Sequence, residues 1–75
     1  MTPSQLEAVL ALIDQYEREL SLSTSVAETL FTKRNYLANA RYHARHSDAA
    51  NLELYLIAFG VPIDELTAVF TLIGL

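Results

Sequence analysis

Residues 33–46, KRNYLANARYHARH, hold four of the five Lys and Arg residues, both histidines and two of the four tyrosines in a chain of 75. Cations interleaved with aromatic rings support two kinds of chemistry. One is a grip on nucleic acid, where the cations neutralise phosphate and the rings stack on bases. The other is a protein contact, where Arg beside large aromatics is the composition of an interface hot spot. The rest of the chain weighs against phosphate: the net charge is -4, the pI is near 4.9, and that field repels polyanions unless the basic stretch projects away from it. At about 100° per residue, Arg34, Arg41 and Arg45 lie on one flank of a helix while Phe31 and Tyr42 lie opposite its core side. Phe31, Arg34, Arg41, Tyr42 and Arg45 are therefore the candidate partner-binding residues. A third arrangement turns the arginines towards Glu7, Asp14, Glu17 and Glu19 of the first helix, within one bundle or across a dimer.

Other constellations carry less. His43 and His46 stand three apart on one helix and could share a metal, but a zinc site takes three or four ligands and the chain has no cysteine. Histidines near a helix C-terminus are also favoured by the negative end of its dipole. Eleven Ser and Thr residues are present, none in a Gly-x-Ser-x-Gly elbow, and the two glycines stand alone at positions 60 and 74, so no phosphate cradle forms. The carboxylate pairs Glu17/Glu19 and Asp64/Glu65 point apart on a helix. No catalytic residue, metal or cofactor is assigned.

These residues need elements to position them. The opening TPSQ has the form of a capping box between Thr2 and Gln5, with Pro3 at the first helical position. Leu6, Val9, Ile13, Tyr16 and Leu20 follow at spacings of 3 and 4, with Leu10 widening the seam. SLSTS reads as a loop. A second capping box, Ser25 to Glu28, starts a helix from Val26 to about His46, whose core side is Val26, Leu30, Leu37, Ala40 and Ala44. Ser47 or Asp48 caps a third helix, AANLELYLIAF, with Ala49, Leu52, Leu56 and Phe59 inward and Gly60 at its end. Pro62 opens a fourth helix with Asp64 and Glu65 near its positive end and Ile63, Leu66, Phe70 and Ile73 as its seam.

The C-terminal third is apolar enough to be tested as a membrane span. Asp64 and Glu65 divide it into two uncharged runs of ten residues, each about half of the ~20 a span needs, so it reads as a hairpin of buried helices with no membrane role. The run LIAFGVPIDELTAVF resembles the closing segment of phage-repressor-type DNA-binding domains. In that family the segment supports an upstream DNA-reading pair with a Gly-containing turn. Residues 1–50 contain no glycine, so the likeness extends to the supporting segment alone, a Gly-terminated helix joined to a capped one.

A chain this short hides only about 60–65% of its unfolded surface, so its core is thin. With no cysteine to staple it, oligomerisation is the remaining common support. At 52% hydrophobic residues, the apolar arc of the fourth helix is wider than one neighbour covers, which makes Leu66, Val69, Phe70, Leu72 and Ile73 the candidate oligomer interface. The N-terminus lacks the basic start and unbroken apolar core of a signal peptide, and the absence of cysteine leans towards a cytoplasmic location. The expectation is an all-α single domain spanning 1–75. It is a compact bundle of three to four helices completed by self-association as a homodimer or higher homo-oligomer. Its expected function is non-catalytic: a protein-protein interaction module serving as a regulator, inhibitor or assembly factor. The alternative is a small nucleic-acid-binding transcriptional regulator using helix 33–46.

Overall fold

Four helices follow one another: α1 (Pro3–Ser21), α2 (Ala27–Arg45), α3 (Ala49–Phe59) and α4 (Ile63–Leu72). They come from a computed structural model, which describes residues 1–23 and 26–72. No strand occurs among the described residues. Each helix packs on the next and α4 returns to α1, so α1 and α3 stand diagonally opposite in a ring of four. The shortest dimension is 18 Å, room for two helix layers at an interaxial spacing of about 8–10 Å. Every helix therefore keeps an outer face towards solvent.

Local sequence explains the helix ends. Thr2 caps α1 as expected, its Oγ1 accepting from the Gln5 N–H at 3.2 Å while the Thr2 N–H donates to Gln5 Oε1 at 2.8 Å. Asp48 caps α3, accepting from the Asn51 N–H at 3.2 Å and from the Asn51 amide at 2.6 Å. Those bonds, the side-chain one first, hold the Asp48 carboxyl below the usual carboxylate range. The cap residue of α2 is Val26, which supplies no side-chain bond. The capping box expected from Ser25 lies outside the described residues.

The turns after α2 and α3 are the same device with different residues. After α3, Gly60 takes φ 107°, its N–H reaches the Ile57 carbonyl at 3.0 Å and the Val61 N–H reaches Leu56 at 3.1 Å. After α2, Ser47 takes φ 54°, its N–H reaches Ala44 at 3.1 Å and the Asp48 N–H reaches His43 at 2.9 Å. Both are the paired bonds that close a helix through one left-handed residue. Glycine adopts that conformation without penalty, whereas Ser47 bears a cost of about 1 kcal/mol.

The core draws on every element. Val9, Ile13, Tyr16 and Leu20 enter from α1, Leu37, Ala40 and Ala44 from α2, Leu52 and Leu56 from α3, Val61 from the turn, and Leu66 and Val69 from α4. The seam read for α1 is the buried line. For α4 the register differs: Ile63 is 79% exposed, because α4 is deepest at Val69, and Ile63, two turns earlier, lies about 120° around the helix from it. The third helix is also less buried than its composition suggests, with Leu54 and Ile57 exposed. No helix among the described residues is long and apolar enough to cross a membrane.

Candidate interaction surface

The basic stretch lies wholly on α2 and its turn, and the helix distributes its side chains to three destinations. Leu37, Ala40 and Ala44, all at 0% exposure, define the inward line. Beside that line Arg41 reaches across to α1. Its guanidinium donates through Nη2 to Asp14 Oδ1 and pairs through Nη1 with Glu17 Oε1 at 2.7 Å. The Glu17 contact, ahead of the opposing effect of burial, raises the Arg41 pKa further above its ordinary value. Of the residues expected to bind a partner, Arg41 is thus engaged inside the chain.

The flank towards α3 takes the second group. Lys33 Nζ sits 5.4 Å from the centroid of the Phe59 ring, a cation over an aromatic face. The His43 ring stacks on Tyr55 at 5.4 Å between centroids and 11° between planes, and Tyr55 meets Tyr36 at 6.3 Å. His43 Nδ1 lies 3.5 Å from Asp48 Oδ2. His43 therefore works as packing between α2 and α3. No group of three His, Asp or Glu side chains able to hold a metal occurs among the described residues.

The outer face holds the third group. Phe31 is 75% exposed and Tyr42 58%, and Arg34, Asn35, Ala38 and Arg45 are exposed with them. Phe31, Ala38 and Tyr42 fall within about 40° of one another on the helix, with Arg34 and Arg45 along one edge. Neither of these arginines meets a carboxylate among the described residues. Tyr42 is braced from below: its ring meets His46 at 4.2 Å and 74°, and His43 at 5.2 Å and 87°, both edge to face. The result is a ridge about four turns long in which large apolar side chains and unpaired cations alternate.

The interface proposed from sequence on α4 is corrected in part. Leu66 (9% exposed) and Val69 (0%) are occupied in the chain's own core, and Phe70 packs partly against it. Leu72 is 45% exposed, and Ile73 lies outside the described residues. Conversely, Leu54 and Ile57 of α3, expected within a buried hairpin, stand in solvent. Their spacing of three gave a signal of an outward apolar stripe, but the continuous hydrophobicity of LELYLIAF masked it.

A second polar contact ties the ends of the chain together. The Tyr16 hydroxyl on α1 donates to Glu65 Oε2 on α4, and the Tyr16 ring meets Phe59 at 5.6 Å. Burial, then Glu65, push the Tyr16 hydroxyl well above its ordinary pKa, so it stays a donor. These groups border a cleft of about 310 Å³ with Glu19, Phe59 and Pro62 on its walls. Sequence reading placed Tyr16 in the seam and Glu65 at a helix start, and no local spacing connects the two. No protein-family model, no curated protein and no solved structure matches this chain.

Proposed function

We propose that the protein is a small non-catalytic protein-protein interaction module, of the kind that serves as a regulator, inhibitor or assembly factor. Its contact surface is the outer face of α2, carried by Phe31, Arg34, Tyr42 and Arg45. The observation behind this reading is Phe31, a large ring three-quarters exposed on a helix that has ample small residues to spare for such a position. Exposed rings flanked by Arg are the anchors that desolvate well when a protein covers them. Tyr42, its ring already in contact with His43 and His46, adds an anchor with less side-chain freedom to lose on association.

The decisive experiment compares the wild-type chain with Phe31→Glu/Tyr42→Glu, checked by circular dichroism to be equally helical. Immobilised wild type should retain a stoichiometric protein ligand, a further copy of itself included, and the double variant should release it. Equal retention by both overturns the reading.

One observation favours nucleic acid as the second reading: Arg34 and Arg45 have no carboxylate partner among the described residues. Against it stands the net charge of -4. A gel shift that weakens steeply with salt and disappears in Arg34→Glu/Arg45→Glu would establish it in place of the first.

A further inference from the structure

The outer face of α2 has an order that reads the same in both directions. Counting outwards from Ala38, Arg34 stands four residues before and Tyr42 four after; Phe31 stands seven before and Arg45 seven after. Each aromatic residue is thus matched, at equal distance on the other side of Ala38, by an arginine. All five side chains are exposed, and they share one side of the helix.

We infer that this face is occupied by a second copy of the chain, α2 against α2 and antiparallel, on a two-fold axis through Ala38. The inference rests on the reading of this face as a protein-binding surface and names its partner. A two-fold interface must be complementary to itself, each residue meeting its mirror position on the other copy. Antiparallel pairing about Ala38 sets Phe31 against Arg45 of the second copy and Arg34 against its Tyr42, and symmetry repeats both pairs. Each guanidinium then covers the negative face of an aromatic ring, the arrangement that binds cations to Phe and Tyr. Ala38 meets Ala38 on the axis, where a small side chain lets two helices approach closely. A shift by three residues breaks this order in either direction, because it brings Arg34 against Arg45 one way and Phe31 against Tyr42 the other.

Other features of the fold agree. The Tyr42 ring is held by His43 and His46, and Arg41, which would crowd the same edge with a further cation, is drawn away by Asp14 and Glu17. The two-fold sets Arg34 and Arg45 of one copy along one edge and those of the second copy along the opposite edge, each facing the other copy's rings, and each copy brings a net charge of -4, so the arginines stand on an acidic body. Of the contact on α4 expected from sequence, Leu66 and Val69 are buried within the chain. The α2 ridge offers both the exposed rings and the cations to match them.

The chain has no cysteine, so one introduced thiol is the only thiol. Under mild oxidation Ala38→Cys should form a disulfide-linked dimer readily, and a mixture of Phe31→Cys with Arg45→Cys should form the mixed dimer. Leu54→Cys on α3 should not. Sedimentation of the wild type should give a dimer. Phe31→Arg should raise its dissociation constant about tenfold through the two symmetry-related pairs, and Phe31→Arg/Arg45→Phe, which restores a ring opposite each cation, should bring it back. A dimer that crosslinks best through Leu54→Cys, or a swap that fails to restore affinity, overturns the inference. So does a wild type that is monomeric at millimolar concentration. If that monomer still retains a host protein that Phe31→Glu/Tyr42→Glu releases, the protein-binding reading stands and only the self-pairing falls. If both chains retain nothing, both fall.

Discussion

The inner and outer sides of α2 each combine apolar side chains with arginine and do opposite things. Inside, Leu37, Ala40 and Ala44 are sealed and Arg41 is tied to two carboxylates of α1. Outside, Phe31 and Tyr42 stand in solvent and Arg34 and Arg45 meet no carboxylate among the described residues. Arg41 and Arg45 are one helical turn apart, and a rotation of about 40° separates a structural arginine from a free one. A basic stretch therefore has no single role. The acids of α1 claim the cation that falls within reach, and those beyond reach remain for a partner.

The sharpest way to break this comparison is to truncate one residue from each side. Leu37→Ala removes a fully buried side chain between α1 and α3 and should cost about 2–5 kcal/mol, a large part of the ~4–11 kcal/mol expected of a 75-residue domain. Phe31→Ala should change the monomer's stability by less than about 0.5 kcal/mol. Urea unfolding at concentrations low enough to keep the chain monomeric measures both. Comparable losses would mean that Phe31 packs on the fold and that the outer face is not free.

How much of this was legible in the sequence depends on the range of each interaction. The seam of α1, the Thr2 capping box, the Asp48 cap and the Gly60 turn all act within a few residues, and they were readable. Phe31 and Tyr42 were readable too, because helical rotation alone turns them away from Leu37. The pairing of Arg41 with Asp14 and Glu17 was legible only as one arrangement among three, offered alike for Arg34 and Arg45: these partners lie 27 and 24 residues away, and only the angle at which α1 crosses α2 brings them to Arg41 while leaving Arg45 out. The α4 register failed for a related reason. Apolar residues fall on nearly every side of α4, so periodicity could not say which line faces inward, and packing on α1 and α3 selected Leu66 and Val69 over Ile63.

Cross-helix polar contacts on the inner side should also respond to pH where the outer charges do not. Tyr16 is the test. Its folded-state pKa is raised, so the folded chain keeps its proton where the unfolded chain gives it up. Its contribution is fully present below about pH 10 and declines as pH rises beyond that. Tyr16→Phe should lower stability by about 1 kcal/mol near neutrality, and the gap between the two proteins should narrow as pH passes 10. Unfolding curves that stay parallel through that range would show that Glu65 does not hold the hydroxyl in solution.

The smallest effect bears most directly on the comparison. Arg41 has a side-chain exposure of 24% and its partners Asp14 and Glu17 have 53% and 38%, so solvent screens the pairs and their joint worth is about 0.5–1 kcal/mol at low salt. Arg41→Ala should lose that amount, less in 1 M salt, where charges more than ~3 Å apart are screened. Arg41→Lys should recover only part, because one ammonium cannot present two separated donors to two carboxylates as the guanidinium does. Arg45→Ala, one turn on, should leave the monomer's stability unchanged at either salt concentration while weakening association. If Arg45→Ala destabilises the monomer as much as Arg41→Ala, and with the same salt dependence, then Arg45 also has an acidic partner in solution. The division of α2 into a bound side and a free side would then have to be redrawn around Phe31 and Tyr42 alone.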